Sequence, residues 1–574
     1  MPRKTLRVET AAEAYLGILR ERGIEYFFAN PGTDFASIFE AFAKFAAEGT
    51  TAPTPMIVPH EFVALSMAHG YYEMTGRPQV VMVHTTVGTA NAVGALINAA
   101  RTQVPVLFSA GRNPVTEDNG LRGMRDTAIH WAQEAFDQGG MVREWVKWDY
   151  ELRQPAQLEH VVDRALELAM TDPKGPVYLV LPREVLAHPL AEVSIESPSR
   201  RQTVSRRFPD PERIAQAAEA LAGARAPVVV TSAVGRVPAA VDGLVELAEA
   251  GGIGVVEVTG THMNFPGDHP CHLGFSFYSD THPAVMDADV ILVVDADVPW
   301  IPAHGKPRDD AKIIHLGVDP FFSRYPIRSY ACDVPIVAEP VVALPALARA
   351  VRAAAPRDVV AARRATLKAA HDAARAEWRR TVEAQSSRTP IGFEWASHCL
   401  GDIVGPETIV VNEYDLDVRY APRRAPGSYF ASPWAGGLGW GFGAALGAKL
   451  AAPQRTVVAA LGDGCYIFGV PTACHHVARK HDLPVLAVIF NNSSWDAVKS
   501  AALRVHPRGW VASTDSARLS GLDPSPRYEE IAGAFDAHGE RVEKPDALPG
   551  ALRRALHAVQ SERRQALVNV VCRR

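Results

Sequence analysis

Cysteine is scarce and scattered. The chain has six, Cys271, Cys332, Cys399, Cys465, Cys474 and Cys572, with no C-x-x-C pair among them. That spacing argues against a disulfide framework and against cysteine-bound metal, and it fits reduced thiols in a cytoplasm. A basic tract or stripe is also missing, and 59 Lys and Arg stand against 64 Asp and Glu. Neither nucleic-acid binding nor steering by net charge is indicated. No apolar run reaches the roughly 18 residues that a membrane span needs, and residues 1–10 are charged rather than an apolar signal core. The expectation is a soluble, unprocessed cytoplasmic protein. At 574 residues the chain is too long for one ordinary core, so length predicts three or four domains.

Two polar stretches divide the chain. The first, 188–211, carries Glu196, Ser197, Pro198 and Ser199 with the Arg200-Arg201 and Arg206-Arg207 pairs, and reads as a linker. The second, 353–390, is rich in Ala and Arg with the apolar spacing of an exposed helix, until Ser386-Ser387-Arg388-Thr389-Pro390 breaks it. Short apolar runs suited to buried parallel strands fall at 80–84, 104–109 and 177–181, then at 226–231, 253–258, 290–294 and 312–316, and again at 457–461 and 484–490. The fold class predicted is α/β, with three consecutive doubly wound parallel-sheet domains. The helix-strand rhythm of the last block echoes the first.

The strongest chemical signal is Leu461-Gly462-Asp463-Gly464-Cys465, followed by Phe490-Asn491-Asn492. Each motif ends an apolar strand, which is where open α/β sheets bind ligands. Gly-Asp-Gly alone is ordinary turn chemistry. A carboxamide at the next strand end changes the balance, because a carboxylate and a carboxamide so placed suit magnesium holding a diphosphate. Asp463, the Asn492 side-chain oxygen and the Ser494 carbonyl would supply three ligand positions. Between the motifs, 466–481 reads as one helix whose start offers N–H groups to phosphate. Gly439-x-Gly441-x-x-Ala444 matches a dinucleotide fingerprint, but 428–435 before it is not an apolar strand, so the nucleotide reading is rejected.

The paired motif resembles the thiamine diphosphate signature of the decarboxylase and acetohydroxyacid synthase superfamily, and the resemblance covers nearly the whole chain. It implies a pyrimidine-binding domain (1–188), a middle α/β domain (210–352) and a diphosphate-binding domain (388–574). It also implies thiamine diphosphate and Mg2+ as cofactors, with Gly462, Asp463, Gly464, Asn492 and Ser494 at the diphosphate. Glu61, at the start of a helix after 56–59, would be the acid that holds the cofactor's pyrimidine nitrogen; alone it would read as a helix-start acid. Leu438, in Gly436-Gly437-Leu438-Gly439 and 25 positions before Asp463, would be the wedge that bends the cofactor, with the Gly436 carbonyl facing its amine.

Asn30-Pro31-Gly32-Thr33 and the segment from His84 to Leu96 are similar to the benzoylformate decarboxylase family. On that resemblance His84 is an active-site acid/base, Thr33 stands where a serine holds the substrate carboxylate, and His269 matches a second catalytic histidine or is a His-Pro turn residue. Val498 stands where pyruvate decarboxylases carry a glutamate. Nonoxidative decarboxylation of a 2-oxo acid is therefore expected, with an acetolactate synthase-like carboligase or a 2-hydroxyacyl-CoA lyase as alternatives and a noncatalytic binding protein as the rival from another class. FAD is left open. The implied partners are a small-molecule substrate and a second copy of the chain, in a homodimer at minimum and a homotetramer as the fuller assembly, with no nucleic acid or membrane. Of Trp434, Trp440, Trp495 and Phe430, one or two are expected to shape an apolar substrate pocket and the others to be core. His475 and His476 read as packing or capping groups. Arg419, Arg423 and Arg424 read as a solvated charge cluster, with an anionic substrate tail as the alternative.

Overall fold

The computed structural model describes residues 3–118, 120–197, 204–277, 279–514, 516 and 518–573. Three parallel sheets carry the fold. The N-terminal sheet runs, edge to edge, through Thr54–Ile57, Tyr26–Asn30, Val80–Val83, Leu107–Arg112, Val177–Pro182 and Asp149–Glu151. The middle sheet runs through His272–Ser276, Gly254–Val258, Pro227–Thr231, Val290–Val294, Lys312–Gly317 and Val334–Val337. The C-terminal sheet runs through Ile391–Gly392, Ala566–Arg573, Leu486–Asn491, Val457–Gly462, Ile409–Glu413 and Tyr429–Ala431, with His538–Val542 also paired to Ala566–Arg573. The central strands are buried along their whole length, which is why their sequences are continuous apolar runs rather than alternating ones.

The N- and C-terminal sheets share one apolar core. Its centre is the pair of helices Glu61–Thr75 and Trp440–Ala451, whose contact depends on missing side chains. A Cβ at Gly70 would lie 2.0 Å from the Ala444 carbonyl oxygen, and one at Gly447 would lie 2.0 Å from that of Met67. Gly441 likewise faces Leu461 and Glu413. The small residues that mimic a dinucleotide fingerprint thus serve close packing, Ala444 against Gly70, Gly441 against Leu461 and Glu413, and Gly439 against Gly469. The middle sheet has cores of its own.

The long helix Arg357–Gln385 leads from the middle sheet to the C-terminal one, and only Arg363, His371 and Val382 are buried on it. Arg363 anchors it by donating to carbonyls where two other helices end, Ala222 (2.9 Å) and Gly251 (2.9 Å) among them. Among the described residues no helix is long and apolar enough to cross a membrane.

Two details depart from expectation. The polar stretch 188–211 is not all loop, because Glu192–Ile195 pairs antiparallel with Lys4–Arg7 in a short ribbon that buries only Ile195. Two half-exposed strands offer too little apolar pattern to be read. Pro198, Ser199, Arg200 and Arg201 lie outside the described residues, as do residues 1 and 2. The helix expected over 466–481 is two helices, Asp463–Phe468 and Pro471–Lys480, interrupted where Val470 takes a left-handed conformation (φ 51°). Pro471 has no N–H to continue the first helix and disfavours the α conformation in the residue before it.

Candidate active site

In the C-terminal sheet, strand order reverses beside Ile409–Glu413: the chain adds Tyr429–Ala431 on one side and Val457–Gly462 on the other. A crevice opens at the carboxyl ends where such a reversal occurs. A cleft of about 300 Å³ occupies it, lined by Tyr414, Asp415, Trp434, Leu438, Gly462, Asp463, Gly464, Asn492, Ser494 and Trp495 among others. Both glycines of the Gly-Asp-Gly turn make room for neighbours. A Cβ on Gly462 would lie 2.4 Å from Asp415 Oδ2, and one on Gly464 would lie 2.4 Å from the Trp495 ring.

Asp463 is almost fully buried. Its Oδ1 accepts the Gly464 N–H (2.8 Å), whereas Oδ2 has no partner among the described residues. Burial pushes its carboxyl up to about 6, and the neighbouring Asp415 charge adds to the effect. A buried carboxylate oxygen without a donor is costly unless a cation meets it. Asn492 lines the same cleft, its Oδ1 accepting the Ser494 N–H (2.9 Å). Asn491 is different, because its amide is buried and donates to Asn569 (2.9 Å) and Ser525 (2.8 Å). Among the described residues no group of three or more His, Cys, Asp or Glu could hold a metal. An ion here would need carboxamide and main-chain oxygens beside Asp463, together with oxygens from a ligand. That hard-oxygen set fits magnesium with a diphosphate.

The loop bearing Leu438 is held from both sides. Gly436 and Gly439 take positive φ (78° and 89°), a conformation that costs glycine little. Asn98 brackets Gly437, donating to its carbonyl (2.7 Å) and accepting its N–H (3.2 Å). On the other side Glu413 accepts the N–H groups of Gly439 (2.7 Å), Trp440 (3.2 Å) and Gly441 (2.8 Å), while burial still pushes its carboxyl up to about 7. Trp434 and Trp495 line the cleft; Trp440 and Phe430 are core. His475 is also core, between Tyr466 (2.8 Å) and Gln565 (2.8 Å), and burial pushes its imidazole down to about 4. His476 is exposed.

The N-terminal sheet reverses in the same way between Tyr26–Asn30 and Val80–Val83. The first strand continues into Pro31-Gly32-Thr33-Asp34 and the second into His84. His84 Nδ1 lies 2.5 Å from Asp34 Oδ1. That hydrogen bond is the largest reason its imidazole is raised above the ordinary value, and the Asp34 charge and a hydrogen bond with Gln133 act in the same direction. Glycine again supplies the space. A Cβ on Gly32 would lie 2.1 Å from His84 Nδ1, and one on Gly111 would lie 1.7 Å from Asp34 Oδ2. After His84 the chain enters the helix Thr85–Arg101 through Thr85 at φ 35°, an unusual conformation for a β-branched residue. Glu61 opens the helix Glu61–Thr75, is buried, and accepts from Asn91 (3.2 Å). Its charge also acts on His84. Thr33 is exposed beside Asp34.

His269 stands apart from both groups. Its Nδ1 accepts the Cys271 N–H (3.1 Å), its Nε2 faces Glu249 (3.4 Å), and its ring packs edge-on against Phe265. In this chain it holds a turn in the middle unit. It lines neither the cleft at Asp463 nor the adjoining one of about 460 Å³, which His262 and His272 line instead.

No residue before Glu257 lines either cleft. One chain therefore places these residues in two separate groups, with Glu61, His84 and Thr33 in one and Leu438, Asp463, Asn492 and Ser494 in the other. Sequence reasoning did not find Asp34, Asn91, Asn98, Glu413 or Asp415. Asp34 sits one residue after a motif that was read, but Asn98 and Glu413 act on a loop more than twenty residues away and gave no local signal.

Three family models match the chain: the thiamine pyrophosphate enzyme N-terminal TPP binding domain over residues 9–141, the central domain over 214–347 and the C-terminal TPP binding domain over 416–570. Benzoylformate decarboxylase of Pseudomonas aeruginosa is 28% identical, with 96% of this chain and 97% of that protein aligned. Sulfoacetaldehyde acetyltransferase of Alcaligenes xylosoxydans xylosoxydans is 27% identical, over 98% and 93%. Among solved structures, thiamine diphosphate-dependent 4-hydroxybenzoylformate decarboxylase of Rhodococcus jostii RHA1 superposes with a TM-score of 0.75 over 98% of this chain and 99% of that one, at 23% identity, a likeness of fold.

Proposed function

The chain belongs to the thiamine pyrophosphate enzyme family, and within it we propose a nonoxidative 2-oxo acid decarboxylase that releases CO2 and an aldehyde in the cytoplasm. The observation that carries this reading is the His84–Asp34 pair at the N-terminal strand ends, on the same side as the buried Glu61. Family membership alone does not select the chemistry, since the similar proteins include a decarboxylase and an acetyltransferase.

The orphaned Asp463 Oδ2, Asn492 and the Ser494 carbonyl would hold Mg2+ and, through it, the diphosphate. Leu438, on a loop fixed by Asn98 and Glu413, would set the cofactor's bend. Thiamine diphosphate, when bound, supplies the sink for the electron pair that departing CO2 leaves behind. Glu61, buried and held by Asn91, would meet the pyrimidine nitrogen. Thr33 would hold the substrate carboxylate through its hydroxyl. Overall, R–CO–COO⁻ and one proton become R–CHO and CO2. His84 can supply that proton near neutral pH because Asp34 keeps its imidazole charged higher than usual. His269 is retained in the reading only as a turn residue.

The pyrimidine-binding (1–188), middle (210–352) and diphosphate-binding (388–574) division belongs to the same proposal. So does a homodimer at minimum, with a tetramer as the larger assembly, because the two half-sites need a second copy to close over one cofactor. Exposed Trp131 and Phe136 in the half with His84, and Phe468 and Trp510 in the half with Asp463, support such a covering surface. Six unpaired cysteines, five of them buried, support a reducing compartment.

The test is product analysis with pyruvate, benzoylformate and a 2-hydroxyacyl-CoA supplied separately to protein loaded with thiamine diphosphate and Mg2+. CO2 and an aldehyde from a 2-oxo acid are expected. Acetolactate from pyruvate, or thioester cleavage, with no aldehyde from any 2-oxo acid would replace the decarboxylase by a carboligase or lyase.

A further inference from the structure

A cavity of about 650 Å³ between the helix Arg357–Gln385 and the C-terminal unit belongs to neither half-site. Five arginines line it: Arg375, Arg379, Arg419, Arg423 and Arg424. Only two carboxylates, Glu383 and Asp402, share the lining. Guanidinium groups stay charged at any working pH, so this crowding is unfavourable unless each charge is met.

Two of the five are met by single carboxylates. Arg419 pairs with Asp417 (2.6 Å) and Arg424 with Asp268 (3.0 Å). Arg375, Arg379 and Arg423 enter no ion pair within 4.0 Å among the described residues. Arg375 donates to the Gly267 carbonyl (2.6 Å), the His272 carbonyl (3.2 Å) and the His272 ring, and the charges of Glu257, Asp268 and Asp372 act on it only from beyond ion-pair distance. Arg423 is the more telling case. It is 9% exposed, so it is not the solvated group its sequence suggests. Among the described residues its hydrogen-bond partners are all neutral carbonyls, of which Thr408 at 2.6 Å is the nearest, and its Nε has none. Burial pulls both Arg375 and Arg423 down to about 10, which leaves each charged at neutral pH. Carbonyl dipoles ease a buried cation but do not cancel its charge.

We infer that this cavity binds a small-molecule anion bearing a phosphoryl group, with Arg423 and Arg375 toward its buried end and Arg379 and Arg424 at its exposed rim. A phosphoryl group fits better than a monocarboxylate, because three guanidiniums with no carboxylate within 4.0 Å among the described residues leave room for more than one negative charge. Tetrahedral oxygens can also accept from forks on different elements at once. The site adjoins the substrate side of the molecule. Arg375, Arg419 and Arg423 also line the cleft of about 460 Å³, which in turn shares Asp415 and Trp434 with the cleft at Asp463.

The experiment titrates the full-length protein, saturated with thiamine diphosphate and excess Mg2+ in chloride buffer, with inorganic phosphate in one arm and adenosine monophosphate in the other. Isothermal calorimetry on wild type is compared with the double variant Arg379→Gln, Arg424→Gln, whose exposed positions leave thermal unfolding of the ligand-free protein unchanged. Saturable binding that the double variant weakens by about tenfold or more is expected, the loss for removing charge-assisted hydrogen bonds. Binding in the phosphate arm assigns recognition to the phosphoryl group alone, and binding only in the nucleotide arm assigns part of it to the organic moiety. Equal affinity in wild type and double variant, or no saturation of either ligand below about 10 mM, overturns the inference. So does binding that Asp463→Asn abolishes and the arginine variant leaves intact, since the anion would then sit at the diphosphate cleft.

Discussion

The two strand-order reversals, one in the N-terminal sheet and one in the C-terminal sheet, are built alike and equipped differently. In each, a glycine turn clears space at a strand end. Gly32 and Gly111 admit His84 and Asp34, and Gly462 and Gly464 admit Asp415 and Trp495. The N-terminal end pairs its titratable group with a carboxylate, which raises the imidazole and suits it to the proton transfer proposed for it. The C-terminal end leaves an Asp463 oxygen without a hydrogen-bond donor among the described residues, which suits it to the cation proposed there. Parallel topology sets where a ligand goes. Whether the side chain there is already paired separates the two proposed roles, proton transfer at His84 and cation binding at Asp463.

The contrast can be broken most strongly at His84. His84→Ala should lower turnover by about 10²- to 10⁴-fold, the range for a positioned proton-transfer group, with cofactor affinity little changed. Gly32→Ala should give most of the same loss, since its methyl group would displace the ring. Steady-state kinetics with a parallel cofactor titration checks both. A large loss of cofactor affinity in His84→Ala would show that the N-terminal end also holds charge.

Asp463→Ala should do the opposite, abolishing Mg2+-dependent retention of thiamine diphosphate. Outer-shell changes alone cost about 10- to 100-fold in metal affinity, and loss of a ligand should cost no less. The two asparagines sharpen the point. Asn492→Ala should weaken retention with little change in stability, whereas Asn491→Ala should destabilise the fold by about 1–3 kcal/mol by stranding Asn569 and Ser525. Calorimetric titration and thermal unfolding of both variants separate these outcomes. The reverse ranking would move the metal site by one residue.

Smaller effects are expected at Asp34. Because the folded His84 value is raised above 6.5, the pair stabilises the fold fully below that unfolded value, and the stabilisation fades as pH rises through the raised one. Asp34→Asn should therefore cost about 1 kcal/mol near pH 6, after screening of a partly exposed ring, and clearly less near pH 9. The limb of the activity profile governed by protonated His84 should move to lower pH. Denaturant unfolding at both pH values, with kcat/KM across the range, is the check. The smallest change is expected from Thr33→Ser, which keeps the hydroxyl, while Thr33→Val should raise KM roughly fivefold, the equivalent of about 1 kcal/mol for one lost hydrogen bond.

Much of the fold was legible because buried parallel strands are apolar throughout. The runs at 290–294 and 457–461 needed no context to be read, and Val290–Val294 and Val457–Gly462 bear them out. The ribbon of Lys4–Arg7 with Glu192–Ile195 escaped notice because one buried residue leaves no pattern. The break at Val470 was hidden for a related reason, since helical spacing continues across it and only Pro471 marked the stop. Of Arg419, Arg423 and Arg424, Arg424 is exposed as a solvated cluster requires and Arg419 partly so, but Arg423 is buried, because composition cannot tell a solvated arginine from a buried one.

By itself, the sequence determined the α/β class, the strand-end motifs at Asp463 and Asn492, and a resemblance that leads to thiamine diphosphate chemistry. These are local properties: an apolar run, a glycine turn and a ligand type within a few residues of one another. Tertiary structure alone decided that Asp34 raises the His84 imidazole above its ordinary value, that Asn98 and Glu413 fix the Leu438 loop, that His269 holds a turn, and that Arg423 is buried with no ion pair among the described residues. Each of these depends on which strands are neighbours and on what is excluded from water, and neither is set by spacing along the chain.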